Sequence, residues 1–327
     1  MNGLLRRRDP ARLLVVCYHG ICPDDSAERH WLLVRRGTFV RQLDYLRSHF
    51  RILPLDDALV ELFAGDLEEP TAAITFDDGY RNNHSVAWAE LRSRRIPATI
   101  FLATGLISTS SSLWTTTLEY AVRGSAQPVL DLREWSGPCL SLSSPALRSA
   151  AGHLAKEYLK NLPVTTRREM LETILARLGP SAVPAEFRFM TWDDVHEMGN
   201  GGLIRFGAHT VNHEILSRLD DAALDREVRE SVSRVAALGP AASGVFAFPN
   251  GRREDFDDRA LEALAGAGVS AAVTTIPGTN SPRSRPMMLR RLVVDEGMTL
   301  ARFSAEAGGV IAMMHDAATN GRATAQR

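Results

Sequence analysis

Two adjacent aspartates, Asp77 and Asp78, close an apolar run that begins near residue 72 and are followed at once by Gly79. A short apolar run that stops at a glycine predicts a buried parallel strand, and α/β sheets carry their chemistry just beyond the carboxyl ends of such strands. Neighbouring side chains on an extended backbone point to opposite sides, so the two carboxylates are expected to have different roles. One can bind a cation while the other faces a substrate.

Two histidines four residues apart, His209 and His213, follow a second strand-like run. Neutral imidazole is a common ligand of zinc and similar metal ions. Two histidines and one aspartate leave coordination positions open for water and substrate, which distinguishes a catalytic metal site from a closed structural one. The pattern therefore predicts metal-assisted hydrolysis.

A third histidine and an arginine also stand in strand-like runs. His19 follows the run 13–18 and has two interpretations, a reacting group or a histidine that fastens a loop by a hydrogen bond. Arg291 lies in the run 289–294, where its guanidinium could orient a carboxylate. Both are retained as catalytic candidates.

Turn and aromatic residues supply the candidate substrate contacts. The Pro-Asn-Gly turn after residue 248 can direct a backbone N–H at a developing oxyanion, although most such turns do not. Trp114 and Trp192 flank a helical region, and each offers an apolar face to a sugar, with core packing as the alternative. The residues proposed for substrate binding are Phe248, Pro249, Asn250 and Trp114.

The order of predicted elements places these groups at one edge of a parallel sheet. A helix at 81–93 lies between two strands, which is a parallel βαβ unit. Residues 105–190 break this rhythm and are expected to form a helical insertion that caps the barrel. The repeated strand–helix order predicts one α/β domain over residues 1–327, a (β/α) barrel or an incomplete version of one, with residues 300–327 as a C-terminal tail.

Composition limits the possible partners and compartments. The chain of 327 residues has 38 basic and 39 acidic residues and a formal net charge of −1, so no nucleic-acid partner is expected. The apolar run near the N-terminus is too short and badly flanked for a signal peptide, and no run approaches the ~20 residues of a transmembrane helix. We therefore expect a cytoplasmic protein. No sequence pattern indicates an oligomeric state.

The two motifs together resemble those of the polysaccharide deacetylase family, also called the NodB-homology or carbohydrate esterase family 4 fold. Residues 75–79, Thr-Phe-Asp-Asp-Gly, are similar to its first motif, and residues 209–213, His-Thr-Val-Asn-His, to its second, H-[ST]-x-x-H. The resemblance covers roughly residues 12–105 and 188–295. It implies a distorted (β/α)7-type barrel that removes N-acetyl groups from an amino sugar or polysaccharide, in exopolysaccharide or cell-envelope glycan metabolism.

The resemblance also implies residue roles, a cofactor and a partner. Asp77 resembles the general base of the family. Asp78, His209 and His213 resemble its metal ligands. Residues 248–251, Phe-Pro-Asn-Gly, are similar to the Y-P-N-G of one bacterial branch. The implied cofactor is a divalent metal ion, zinc first, with cobalt or nickel as alternatives, and the implied partner is an N-acetylated carbohydrate.

Two departures from the family pattern concern the arginine and the general acid. The usual third motif has an arginine where Phe246 or Ala247 stands here, and Arg291, in a stretch similar to L-P-R-I, is expected to supply that charge. The usual last motif has a histidine near the C-terminus, but the polar flanks of His315 are typical of a fraying terminus. His19, in a stretch similar to the Y-H segment of a permuted branch, is expected to be the general acid instead.

Two alternative functions remain at this stage. A related metal hydrolase acting on a small amide or cyclic ureide would have a narrow, closed pocket, whereas a sugar substrate favours an open, aromatic-lined groove. A barrel that only binds glycan is the second alternative. The complete set of candidate ligands argues against it, because an inactive descendant would be free to lose Asp77 or His209.

Overall fold

The structure, a computed structural model, describes residues 12–308. The strands of this part of the chain are β1 (Leu13–Tyr18), β2 (Gly20–Cys22), β3 (Leu33–Arg35), β4 (Arg51–Ile52), β5 (Thr71–Phe76), β6 (Ala98–Leu102), β7 (Val129–Asp131), β8 (Cys139–Ser141), β9 (Ile204–Ala208), β10 (Ala242–Ala247), β11 (Ala271–Val273) and β12 (Leu292–Val293).

The α-helices of the same region connect or cover these strands. They are α1 (Arg36–His49), α2 (Leu55–Ala64), α3 (Trp88–Arg94), α4 (Trp114–Gly124), α5 (Pro145–Lys160), α6 (Val164–Leu178), α7 (Trp192–Gly199), α8 (Asp221–Ala236), α9 (Asp258–Gly266) and α10 (Leu300–Ala307). None of them is both long and apolar enough to cross a membrane.

A curled sheet of parallel strands in the order β11-β10-β9-β6-β5-β1-β12 forms the barrel, and β4 pairs with the first residues of β5. The two ends of this order approach each other, because Val273 of β11 forms a bridge with Leu289, just before β12. The distorted (β/α)7-type barrel predicted from the sequence is confirmed.

Successive side chains of the barrel strands point to opposite sides and build two apolar layers. Strands β1 and β5 are buried at every position. Leu13 and Val15 pack inside the barrel with Phe101, whereas Leu14 and Val16 pack outward against the surrounding helices. Helix α2 contacts β1, β5 and β10 and belongs to the inner cluster. It closes the end of the barrel opposite the carboxyl ends of the strands, which leaves that carboxyl edge for the site.

The segment 105–190 contains α4, α5, α6 and the antiparallel pair β7–β8. These elements share an apolar cluster of their own, which includes Leu118, Leu132, Leu159 and Ile174. The expected insertion is therefore mainly helical but also contains a short hairpin. We refer to residues 114–178 as the insertion.

The last described element is α10, which packs on α1 with Phe303 against Tyr45, at 5.9 Å between ring centroids. The expected C-terminal tail over residues 300–327 thus begins with a helix. His315, the alternative general acid, lies outside the described residues.

Candidate active site

The predicted catalytic and ligand residues come from different barrel strands. Asp77 and Asp78 follow β5, His209 follows β9, His19 follows β1, and Arg291 immediately precedes β12. Parallel strands place their carboxyl ends on one edge of the sheet, so residues far apart in sequence meet there. Asp77, Asp78, His19, His209 and His213 all line one cavity of about 580 Å³.

Asp78, His209 and His213 form a group whose ligand atoms all lie within 4.8 Å of one another. Asp78 Oδ1 is 3.5 Å from His209 Nε2 and 3.3 Å from His213 Nε2. Two ligand atoms bound tetrahedrally to zinc at about 2.1 Å lie about 3.4 Å apart, which matches these separations. The buried Asp78 Oδ1 has no hydrogen-bond partner among residues 12–308. The donor set and its spacing therefore fit a divalent metal ion.

Unusual backbone angles accompany these ligands. Asp78, Thr210 and His213 have φ values of 74°, 63° and 57°, a region that residues other than glycine rarely occupy. Such conformations persist where the surrounding structure enforces them, and they cluster at functional sites. The backbone is therefore bent at two of the three candidate ligands.

His209 is oriented by its second ring nitrogen. Nδ1 donates a hydrogen bond to the Ala247 carbonyl at 2.7 Å. Because a carbonyl only accepts, Nδ1 carries a proton, and in the neutral imidazole the Nε2 lone pair is then free for a metal ion. The end of β10 thus fixes the ring that follows β9.

Residues 209–214, which we call the ligand segment, are held on the barrel side by Glu227 of α8. This buried carboxylate accepts hydrogen bonds from the Val211 and Asn212 N–H groups at 2.8 and 2.9 Å and from Asn212 Nδ2 at 2.7 Å. It satisfies the backbone between His209 and His213. The sequence analysis did not identify Glu227. It lies 14 residues beyond the second motif, in a stretch that neither motif covers.

The insertion holds the ligand segment from the other side. Glu214, 3% exposed, pairs with Arg167 and accepts a hydrogen bond from Arg168 Nη2 at 2.7 Å. The Arg167 guanidinium also lies over the Trp114 ring, at 4.9 Å from its centroid. No sequence pattern links α6 to the second motif, so this contact was also missed.

Arg291 is fully buried and binds Asp77 through both ends of its guanidinium. Nη1 donates to Oδ1 and Nη2 to Oδ2, each at 2.7 Å, while Nε donates to the Thr274 carbonyl at 2.8 Å. Burial raises the pKa of Asp77, but the Arg291 charge, assisted by His209 and His19, more than offsets it and lowers the pKa below its ordinary value. Asp77 is therefore a fixed, ionised carboxylate.

Charge also sets the ionisation of the other site residues. Burial acts against the charged form of Asp78, but His209 and His213 hold its pKa well below the usual range. Burial lowers the pKa of His19, although both aspartates act in the opposite direction. The cavity floor thus combines two ionised carboxylates with a histidine that releases its proton readily.

A second group, Cys17, His19 and Asp77, also has ligand-type atoms close together. Both oxygens of Asp77 are bonded to Arg291, and burial raises the pKa of Cys17, which favours the thiol over the thiolate that binds metal. This group does not fit a metal ion.

The candidate substrate-binding residues are divided between the cavity and the core. Asn250 lines the cavity. Phe248 is fully buried and stacks on Phe256 at 4.1 Å, because its side chain continues the core face of β10. Pro249 is also buried outside the cavity lining. Trp114 lies under Arg167 and does not line the cavity. The predicted direct contact with substrate is therefore not supported for Phe248, Pro249 or Trp114, which all lie outside the cavity lining.

The tryptophan that lines the cavity is not Trp114, which was predicted to contact the sugar, but Trp31. Its side chain lines the cavity, is 48% exposed and lies 5.6 Å from His19 between ring centroids. It belongs to the loop between β2 and β3, a stretch without periodicity, so its sequence position carried no signal. Trp31 offers the aromatic face of the cavity.

Comparisons with known proteins identify the family of this chain. A family model described as polysaccharide deacetylase matches residues 64–272, more than half of the chain. The chain has no significant match among curated proteins. The matched region includes the acidic pair and the histidine pair.

Several solved structures have the same fold. Streptococcus pyogenes deacetylase PplD in complex with acetate is 18% identical with a TM-score of 0.59, covering 90% of this chain and 98% of that chain. IcaB from Ammonifex degensii is 18% identical with a TM-score of 0.58, covering 90% and 95%. The BpsB deacetylase domain from Bordetella bronchiseptica is 17% identical with a TM-score of 0.54, covering 88% and 98%. With both motifs inside the matched family region, the chain belongs to the polysaccharide deacetylase family, whose enzymes hydrolyse the amide bond of N-acetylated sugars.

Proposed function

We propose that this deacetylase is metal-dependent and that Asp78, His209 and His213 hold the ion. The observation that carries the proposal is the convergence of their three ligand atoms, with the buried Asp78 Oδ1 left without a hydrogen bond. Zn²⁺ fits this donor set best, and Co²⁺ or Ni²⁺ would also bind two imidazoles and a carboxylate. A divalent ion held by these residues would supply Lewis-acid chemistry, polarising the acetyl carbonyl and lowering the pKa of the attacking water.

Asp77 is the proposed general base. Its carboxylate lines the cavity beside the ligands and stays ionised through its double hydrogen bond to Arg291. It accepts the proton of the attacking water on an oxygen lone pair that Arg291 leaves free. Arg291 does not touch the substrate in this scheme; it is a positioning residue that fixes the carboxylate plane.

His19 is the proposed general acid. It lines the cavity, and its buried Nδ1 has no hydrogen-bond partner within the described part of the chain. The protonated imidazole would deliver its proton to the leaving amine, and the lowered pKa of His19 favours that release. The peptide carbonyl of His19 accepts a hydrogen bond from Asn83 Nδ2 at 2.6 Å, which fastens the backbone of this residue.

The acetylated sugar is proposed to lie between Trp31 and Asn250. The indole supplies an apolar face, and the amide supplies a donor and an acceptor for sugar hydroxyls. In the turn after β10, the Phe248 and Gly251 N–H groups are bonded to Val273 and Pro249 carbonyls. The proposed backbone donor for the oxyanion is therefore the N–H of Asn250.

The test is acetate release from N-acetylglucosamine oligomers by the purified protein, before and after chelation and with Zn²⁺ or Co²⁺ restored. We expect release that stops with the chelator and returns with metal. Asp77→Asn should lower kcat by at least about 100-fold while metal content is retained, because Asp77 is not a ligand. The matched control is Asp66→Asn, an exposed aspartate beyond α2 at the opposite end of the barrel.

Two results would count against this division of roles. Loss of bound metal from the Asp77→Asn protein would make Asp77 a ligand instead of the base. Full acetate release by the chelated protein, with no metal detected by elemental analysis, would refute the metal dependence.

A further inference from the structure

The chain has 38 basic residues, of which 36 are arginine and only two, Lys156 and Lys160, are lysine. Both lysines line the active-site cavity. Arginine carries the positive charge everywhere else, including all the basic residues of the barrel. Lysine presents a compact, mobile ammonium with three donors, unlike the planar and rigid guanidinium. The two positions where this chain uses lysine are therefore both on the wall of the candidate active-site cavity.

The lysines belong to a continuous row on α5. Residues four or three apart in a helix lie on one face, and Ser149, His153, Lys156 and Lys160 follow this spacing. All four line the cavity. The face that the insertion turns toward the active site therefore carries hydrogen-bond donors and positive charge along its length.

Two carboxylates pair with this row, Glu119 of α4 and Glu157 of α5 itself, and each is shared between two basic side chains. Glu119 Oε2 lies 3.7 Å from Lys156 Nζ and 3.3 Å from His30 Nε2. Glu157 Oε1 lies 3.3 Å from Lys160 Nζ, and Glu157 Oε2 accepts a hydrogen bond from Arg252 Nη1 at 2.8 Å.

The side chains that line this wall include more basic than acidic groups. Three basic residues, Lys156, Lys160 and Arg252, line the cavity with two carboxylates, Glu119 and Glu157. Asp255 lies near Lys160 and Arg252 but does not line the cavity. The two lysine side chains are each only 14% exposed, so water compensates their charge poorly. Burial lowers the pKa of Lys160, and the neighbouring cations Lys156 and Arg252 act in the same direction. An anion bound in the cavity beside these two ammonium groups would stabilise both charges.

We infer that the substrate carries an anionic group, a carboxylate or a phosphate, on or next to the N-acetylated sugar, and that Lys156 and Lys160 bind this group. The inference rests on the proposed function and narrows its substrate class. The barrel floor holds the acetamide, and the α5 row holds the charge at the other end of the same cavity. A charge-assisted hydrogen bond from an ammonium is roughly twice as strong as a neutral one, so the row discriminates against uncharged glycans.

The kinetic test compares three monosaccharide substrates that differ in charge. They are N-acetylglucosamine, N-acetylmuramic acid with its carboxylate, and N-acetylglucosamine 1-phosphate. We expect the wild-type kcat/KM for at least one anionic sugar to exceed that for the neutral sugar by about tenfold or more. In the Lys156→Gln/Lys160→Gln double variant this ratio should fall toward one, and Lys156→Arg/Lys160→Arg should restore part of it. Comparison of the two anionic sugars tells carboxylate from phosphate.

The control is Arg226→Gln, which removes one positive charge from the exposed face of α8 and should leave the ratio unchanged. A wild-type enzyme that turns over neutral and anionic sugars equally well would overturn the inference. So would a double variant that loses the same factor on every substrate, since the lysines would then serve folding or catalysis and not charge recognition.

A binding measurement separates this inference from the proposed function. Reductive methylation with ¹³C-formaldehyde keeps the lysine charge and labels only two side chains in the chain, besides the terminal amine. In the Asp77→Asn protein, both lysine signals should shift on addition of the anionic sugar and not of N-acetylglucosamine. Shifts without any acetate release by the wild type would refute the proposed deacetylation alone. Acetate release without shifts would refute the anion site alone.

Discussion

The floor of the cavity comes from the carboxyl ends of barrel strands, whereas one wall comes from α5 of the insertion. The floor is made of fixed groups: Asp77 has two hydrogen bonds to Arg291, and His209 has one to a strand carbonyl. The wall carries lysines, whose carboxylate partners are shared with other basic residues. Groups held by several hydrogen bonds suit bond breaking, which needs exact placement, and the flexible lysine side chain suits binding of a charged group. Changes in the floor should therefore affect kcat, and changes in the wall KM.

The largest effect should follow from breaking the buried pair in the floor. Arg291→Met leaves the Asp77 carboxylate buried without its partner, and we expect a loss of about 3–5 kcal/mol in the free energy of unfolding and of nearly all activity. Urea denaturation measures the first and acetate release the second. The adjacent, exposed Arg290→Met is the matched control and should cost under about 1 kcal/mol.

The pH dependence of that loss has a definite sign. Because the folded-state pKa of Asp77 lies below its ordinary value, the pair stabilises the protein above the unfolded pKa of about 3.9 and loses this contribution as pH falls through the folded pKa. The stability difference between wild type and Arg291→Met should be full at neutral pH and shrink on acidification. The decrease should begin above about pH 4, because burial without Arg291 raises the pKa of Asp77 in the variant, so its carboxylate takes up a proton first. A difference that grows on acidification would mean that Arg291 does not lower the pKa of Asp77.

The next-largest effect tests whether the insertion helps to position the candidate metal ligands in the floor of the cavity. Arg167→Met removes the buried partner of Glu214, next to the candidate ligand His213, and should weaken Zn²⁺ binding by about 10- to 100-fold. Arg168→Met is the control: it contacts the same carboxylate, but its side chain is 58% exposed, so it should change affinity by less than about threefold. Competition with a chromophoric chelator measures both. Equal affinities in the two variants would show that the insertion does not position the metal site.

A smaller effect is expected on the barrel side of the ligand segment. Glu227→Ala removes three hydrogen bonds to Val211 and Asn212 and should weaken Zn²⁺ binding by about tenfold. Glu227→Gln should recover most of the affinity. The amide oxygen of the introduced glutamine can accept hydrogen bonds from the Val211 and Asn212 N–H groups, and the Asn212 side-chain amide can rotate so that its oxygen accepts one from the glutamine amide nitrogen. Glu230→Ala on the same helix is the control. No difference between the Ala and Gln variants would mean that these hydrogen bonds do not position the ligands.

The sequence predicted the floor better than the wall for a physical reason. The barrel follows from strand–helix order, and a parallel sheet necessarily brings strand ends such as those before Asp77 and His209 to one edge. The insertion obeys no such rule: nothing in the sequence shows that Lys156 faces Asp77 across a cavity. An isolated Trp114 likewise carries no sign that its face is occupied by Arg167. Trp31, in an irregular loop, depended entirely on tertiary packing.

The smallest effect should separate binding from chemistry at the cavity mouth. Trp31 is half-exposed and makes an edge contact with His19, so its indole can stack on a sugar without any bond to the reacting atoms. Trp31→Ala should raise KM for N-acetylglucosamine oligomers by about tenfold, roughly the 1.4 kcal/mol that an aromatic contact supplies, with kcat changed by less than about twofold. Trp31→Phe, which keeps an aromatic face, should stay within about threefold of wild type. If kcat falls instead while KM is constant, Trp31 acts by orienting His19. Its role would then be in the chemical step, like that of the floor residues, and not in sugar binding.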